Sequence, residues 1–197
     1  MTKSRVRRQG TGSGGSTRTY LIVGAVIVLF VGGFIALAVV DARQQSASGA
    51  PGDVKTYDVG PAGQHTEGDV DYEQSPPVGG AHNPIWQNCG FYDKPVRDEN
   101  AVHSLEHGAV WITYSPDLPQ DQVNELKDIA ESQTYILASP YPDLPDNTPV
   151  VASAWGKQVY LDGASDPDLE SFINAYRQGP QTPEPGAICT GGTSATQ

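Results

Sequence analysis

The run "YLIVGAVIVLFVGGFIALAVV", Tyr20 to Val40, is 21 residues long and carries no charged side chain. As a helix rising 1.5 Å per residue it would be about 30 Å long, the thickness of a bilayer's hydrocarbon core. Lys3, Arg5, Arg7, Arg8 and Arg18 lie on its N-terminal side, and only Arg43 lies close beyond it. The positive-inside rule then predicts a single-pass anchor in the cell membrane, with residues 1–19 cytoplasmic and the chain from about residue 41 extracytoplasmic. A cleaved secretory leader is the competing interpretation, but such leaders carry an apolar region of about 7–15 residues. The segment "VDA" at 40–42 would also place the charged Asp41 inside the cleavage site.

Charge divides at the same boundary. Residues 1–43 contain six Lys/Arg and one acid, whereas the rest contains six Lys/Arg and 22 acids within a total net charge of −11. A domain this acidic has no patch to neutralise phosphates, which argues against nucleic acid as a partner. Its length suits roughly one globular domain. An extracytoplasmic location also permits disulfides to persist. Two cysteines are present, Cys89 and Cys189, and one intramolecular pairing is possible. That bridge would tie down the C-terminal stretch "GPQTPEPGAICTGGTSATQ", which lacks other means of staying ordered.

The chain divides as follows. Residues 1–19 are a basic, Gly/Ser-rich tail expected to be disordered, 20–40 the transmembrane helix, and 41–55 a flexible polar linker. Residues 56–190 form the extracytoplasmic α/β domain, and 191–197 a disordered tail. Within the domain, Tyr57 to Pro95 is loop-rich, dense in Gly and Pro. Then "AVWITY" (109–114) reads as a buried strand. "LPQDQVNELKDIAES" follows as a helix, with Val123, Leu126, Ile129 and Ala130 at helical spacing. "TYILAS" (134–139) is a second strand, and "PVVASAW" and "KQVYLD" flank Gly156 as a hairpin. "DPDLESFINAYRQG" closes the domain as a helix with an Asp cap and Pro at its first position. The order β-α-β-β-β-α predicts a mixed sheet built on a parallel pair with a right-handed crossover. It is compatible with a thioredoxin-like sheet in which the loop "PYPDLPDNTP" replaces the middle helix. No CxxC dithiol accompanies it, so the fold alone would imply no redox catalysis.

The four histidines, His65, His82, His103 and His107, all fall in the loop-rich half and its exit. "RDENAVHSLEHG" is expected to form about two helical turns ended by Gly108. His103 and His107, at i and i+4, would share a face beside Glu106. Two imidazoles and a carboxylate so placed can bind one cation, and His82 and His65 sit on Gly-flanked loops able to complete the sphere. The candidate metal ligands are therefore His65, His82, His103, Glu106 and His107. Imidazole ligation suits zinc or copper(II), whereas copper(I) is disfavoured because the only methionine is Met1. Histidines in a structural polar network are the alternative. The segment also matches H-x-x-E-H, the inverted zinc-protease signature with Glu106 as general base, but Gly108 and a strand follow at once where those enzymes need a long helix. No catalytic residue is assigned. Trp86, Phe91, Tyr92 and Trp111 read as core aromatics rather than pocket walls. "EGDVDYEQ" (67–74) reads as a solvated acidic loop rather than a calcium site.

"SPPVGGAHNPIWQNCGFYDKPV", "VHSLEHGAVWITY" and "TPEPGAIC" together resemble a bacterial, mainly actinobacterial, membrane-anchored family known as domain-of-unknown-function family 3105. The resemblance covers roughly residues 55–190. Its motif positions here are Pro76, Pro77, Gly79, His82, Cys89, Gly90, Tyr92, His103, Leu105, Glu106, His107, Gly108 and Cys189. It implies a short cytoplasmic tail, one span and an outer domain in which the histidines act together, and it implies no activity. The expectation is a non-enzymatic, His-rich extracytoplasmic domain holding zinc or copper. The alternative is an envelope interaction module with structural histidines and a protein partner.

Overall fold

Strand β3, Val110–Tyr114, is buried along its whole length, and its alternation sorts the domain into two layers. Val110, Ile112 and Tyr114 face one apolar cluster, and Trp111 belongs to another, as the two-residue period of a strand requires. A strand covered on both faces needs helices or loops on both sides of its sheet. The computed structural model describes Tyr20 and residues 49–197. The expected tail 1–19, almost all of the expected span 20–40 and most of the linker 41–55 lie outside the described residues. Among the described residues, no helix is long and apolar enough to cross a membrane.

The elements are β1 (Lys55–Thr56), β2 (Gly90–Phe91), α1 (Asp98–Glu106), β3, α2 (Gln120–Ser132), β4 (Ile136–Pro140), β5 (Val150–Ala154), β6 (Lys157–Leu161) and α3 (Pro167–Tyr176). They build a six-stranded mixed sheet in the order β1-β6-β5-β3-β4-β2. β3 and β4 run parallel, joined through α2, with Ile112 opposite Ala138. β5 is antiparallel to β3, and β6 returns antiparallel to β5. The α/β class and the β-α-β-β-β-α order expected from the sequence are both present.

Leu126 and Ala130 of α2 and Leu169, Phe172 and Ile173 of α3 bury the first apolar layer. α3 starts where its sequence dictates: the Asp166 carboxylate accepts from the Asp168 N–H at 3.0 Å, and Pro167 occupies the first turn. The opposite layer holds Ala101, Val102 and Leu105 of α1 with Trp111, Leu137 and Trp155. Trp111 is fully buried and donates from its indole to Ser139 at 3.0 Å. Of the other aromatics expected in the core, Phe91 and Tyr92 are partly buried against the two layers.

Three features depart from expectation. β1 and β2 extend the sheet at its two edges, so Lys55, placed in the linker, pairs with Gln158. Residues 191–197 are not a free tail. Thr193 bridges Gln87, Ala195 accepts from the Gln87 amide at 3.1 Å, and Gln197 donates to Pro95 at 2.8 Å. These bonds hold because the Cys89–Cys189 disulfide, spanning 100 positions, delivers the segment to that place. Finally, α3 stops at Tyr176, short of the end of the expected helical stretch "DPDLESFINAYRQG", and Gln178 takes the left-handed conformation beyond it.

Candidate metal centre

Helix α1 is short, and its C-terminal turn carries the chemistry. Asp98 and Glu99 sit in its first turn, where carboxylates favour a helix N-terminus. It ends at Glu106 with His107 as its cap, and the chain turns away at Gly108, whose φ of +94° suits glycine. A Cβ there would clash with the Gln178 side-chain nitrogen. That amide donates to the His107 carbonyl, and the Gln178 N–H donates to the Gly108 carbonyl at 2.9 Å. Gln178 therefore locks the helix end from 71 positions away. No local signal in the sequence identifies it.

One turn earlier, His103 and Glu106 project toward the loop-rich segment, and that segment brings His65 and His82 to meet them. The loop is placed by backbone pairing: the His82 N–H donates to Gln64 at 2.9 Å and the Thr66 N–H to His82 at 2.7 Å. One ligand atom from each of His65, His82, His103 and Glu106 lies within 4.8 Å of all the others. A tetrahedral zinc sphere with bonds of about 2.1 Å sets its ligand atoms about 3.4 Å apart, so modest side-chain rotation closes the gap. His82 and Glu106 are fully buried and His103 is 4 % exposed, whereas His65 is exposed.

Backbone carbonyls fix which ring nitrogens face inward. His82 donates from Nδ1 to the Gly80 carbonyl at 2.8 Å, and His103 donates from Nδ1 to the Asn83 carbonyl at 2.6 Å. A carbonyl can only accept, so the hydrogen sits on Nδ1 and the Nε2 lone pair is free for a cation. His82 Nε2 then lies 3.0 Å from Glu106 Oε2. That contact lacks hydrogen-bond geometry, and both buried atoms are otherwise unpartnered. Two electron-rich atoms at this distance repel unless a cation or a proton lies between them. The other Glu106 oxygen accepts from the Gly63 N–H at 2.6 Å. Among the described residues, no lysine or arginine pairs with Glu106. A buried carboxylate without a cation is expensive, and a divalent ion on these four ligands would remove that expense.

Burial, reinforced by the neighbouring His107 and His82, lowers the His103 pKa to about 4 even though its bond to Asn83 opposes the shift. The ring is therefore neutral at neutral pH, the form that binds a metal.

The structure does not bring His107 into the cluster. Its ring lies edge-on to His103, with centroids 4.5 Å apart, but its Nδ1 donates to the Ile188 carbonyl at 2.7 Å. Its Nε2 lies 3.6 Å from the Glu184 carboxylate. His107 is the cap residue where the helix ends, and the disulfide-tethered segment claims its ring. Trp86 packs beside both rings, 5.6 Å from His103 and 5.1 Å from His107. The acidic stretch 67–74 forms no metal cluster with these ligands, and Asp69 in it pairs with Arg97 at 3.0 Å.

Residues 64–191 match the family described as "Protein of unknown function (DUF3105)". No curated protein and no solved structure matches the chain.

Proposed function

The chain belongs to the DUF3105 family, and from that premise we propose that it is a single-pass membrane protein whose extracytoplasmic domain holds one divalent transition-metal ion. The ion is Zn²⁺ or Cu²⁺, and its ligands are His65, His82, His103 and Glu106. The observation that carries this reading is the convergence of four ligand atoms within 4.8 Å, two of them buried and without a hydrogen-bond partner. Imidazole nitrogens with one carboxylate form a donor set that suits zinc or copper(II). The apolar run at 20–40 and the Cys89–Cys189 bridge both favour an anchored domain outside the cell membrane. The central strands, in the order β6-β5-β3-β4, favour a thioredoxin-like core put to a use other than dithiol chemistry.

Titrating the full chain in detergent with Zn²⁺ and Cu²⁺ tests the proposal. One ion per chain is expected, with binding lost in His82→Ala. No uptake at micromolar metal would reject it.

A second reading is an envelope interaction module in which the histidines are structural. It draws on the Nδ1 bonds of His82, His103 and His107 to backbone carbonyls, which serve a structural role equally well. Folding and partner capture that survive removal of His103 would favour it. The hydrolase reading is the weakest. The H-x-x-E-H signature uses both histidines as ligands and the glutamate as base, whereas here Glu106 joins the cluster and His107 does not.

A further inference from the structure

The four candidate ligands are not equivalent. His82, His103 and Glu106 are buried and individually oriented by the Gly80, Asn83 and Gly63 backbones. His65 is exposed, on a loop whose residues from Pro61 to Asp69 are exposed except Thr66. Its backbone is held on both sides by the bonds of Gln64 and Thr66 to His82. The ring can therefore swing out by side-chain torsion alone while the other three ligands stay in place.

Resting on the metal reading above, we propose that the ion is cargo, exchanged through the His65 side, with His65 as the ligand that leaves. In unloading, the bond from a His65 ring nitrogen to the ion breaks as the lone pair of an incoming nitrogen or oxygen donor forms its replacement. Charge and oxidation state are unchanged, and loading is the reverse. A structural site closes all four positions with protein ligands held out of solvent, whereas this one leaves a single ligand at the surface. Glu67, exposed and two positions along the chain from His65, adds negative charge that raises the local concentration of cations.

The test is chemical rescue. His65→Gly, made in the full chain in detergent, removes an exposed ring and is expected to keep the wild-type circular dichroism. Zn²⁺ affinity, measured against a competing chromogenic chelator, is expected to fall at least tenfold, since loss of a group that only hydrogen-bonds to a ligand already costs about 10–100-fold. Millimolar imidazole is expected to restore it, because the vacated position opens to solvent. The same imidazole is expected not to rescue His82→Gly, whose vacated position is enclosed. Transfer from the wild type to the chelator should speed up as chelator concentration rises, because the incoming donor takes part in the exchange. Unchanged affinity in His65→Gly overturns the proposal, as does a loss that imidazole cannot restore or a transfer rate independent of the chelator. A wild type that takes up no Zn²⁺ or Cu²⁺ instead overturns the metal reading, and this inference with it.

Discussion

On one face of the sheet, Ile112 shares an apolar layer with Leu126 of α2 and Phe172 of α3. On the other, Trp111 and Leu137 share their layer with α1, whose buried side chains include Glu99, Asn100, His103, Ser104 and Glu106. The first arrangement is what hydrophobic burial selects when stability is the only requirement. The second buries groups whose desolvation is unfavourable unless each finds a partner. Most do: the Ser104 hydroxyl donates to Gln87 at 2.6 Å, and Glu99 accepts from the Val70 N–H at 2.8 Å and forms an ion pair with Arg97. The facing atoms of His82 and Glu106 do not, and this unmatched pair sets the candidate functional face apart from the apolar one.

Phe172→Ala gives the strongest test of that division. Its ring is fully buried in the apolar layer, so truncation is expected to lower stability by about 3–5 kcal/mol. The folded fraction should still bind metal at wild-type stoichiometry. A parallel loss of metal affinity in protein shown to be folded would mean that the two faces are coupled. Opening the Cys89–Cys189 bridge comes next, and the Cys89→Ala/Cys189→Ala protein should lose about 2–5 kcal/mol. The bridge tethers Ile188 and Glu184, which hold His107, but no member of the four-ligand cluster. Denaturant midpoints should therefore fall while metal affinity changes little. A collapse of affinity would show that the tail positions the ligands too.

The third effect is of intermediate size and runs in the opposite direction. A ligand at a hundredfold excess over its dissociation constant stabilises the native state by about 2.7 kcal/mol, so saturating Zn²⁺ should raise the thermal midpoint by several degrees. Glu106→Gln should abolish that gain. The substitution keeps an acceptor for the Gly63 N–H and removes a buried charge, so without metal the variant should be at least as stable as the wild type. A metal-free variant that is markedly less stable would recast Glu106 as a structural residue.

How much of this the sequence discloses depends on the distance over which each contact acts. α2 and α3 were legible because their apolar residues repeat within a turn and α3 carries its own cap. β1 and β2 were not, since two residues hold no period and their partners lie far along the chain, Lys55 with Gln158 and Gly90 with Leu137. Within the site, His103 and Glu106 could be paired from helical spacing, and the Gly-flanked loops marked His82 and His65 as able to reach them. His107 shows where spacing fails. Four positions from His103 predicts a shared face, but α1 ends at Glu106, and the ring follows the tail's Ile188 and Glu184 instead. Gln178 was invisible for the same reason, because its role exists only once the residue that follows α3 meets the end of α1.

The smallest predicted effect asks whether the polar face carries its own strain at the far end of α1. Burial, with the charges of Glu99 and Asp143, raises the Asp98 pKa from 3.8 to about 6, although the Tyr141 hydroxyl donating to it at 3.0 Å works the other way. For a carboxyl raised in the folded state, the native protein binds the proton more tightly than the unfolded chain does. The resulting stability is complete below about pH 4 and is lost as the pH rises through 6. Asp98→Asn keeps an acceptor for Tyr141 without the charge. Allowing for the solvent screening of a partly exposed group, it should be more stable than the wild type by about 1 kcal/mol at pH 7. At pH 4, where the two side chains are nearly equivalent, the gain should shrink toward zero. Urea midpoints at the two pH values measure the difference. A variant destabilised equally at both would mean that the carboxylate is needed at the start of α1, where the helix dipole favours it, and that the unmatched charge of this face is confined to the histidine cluster.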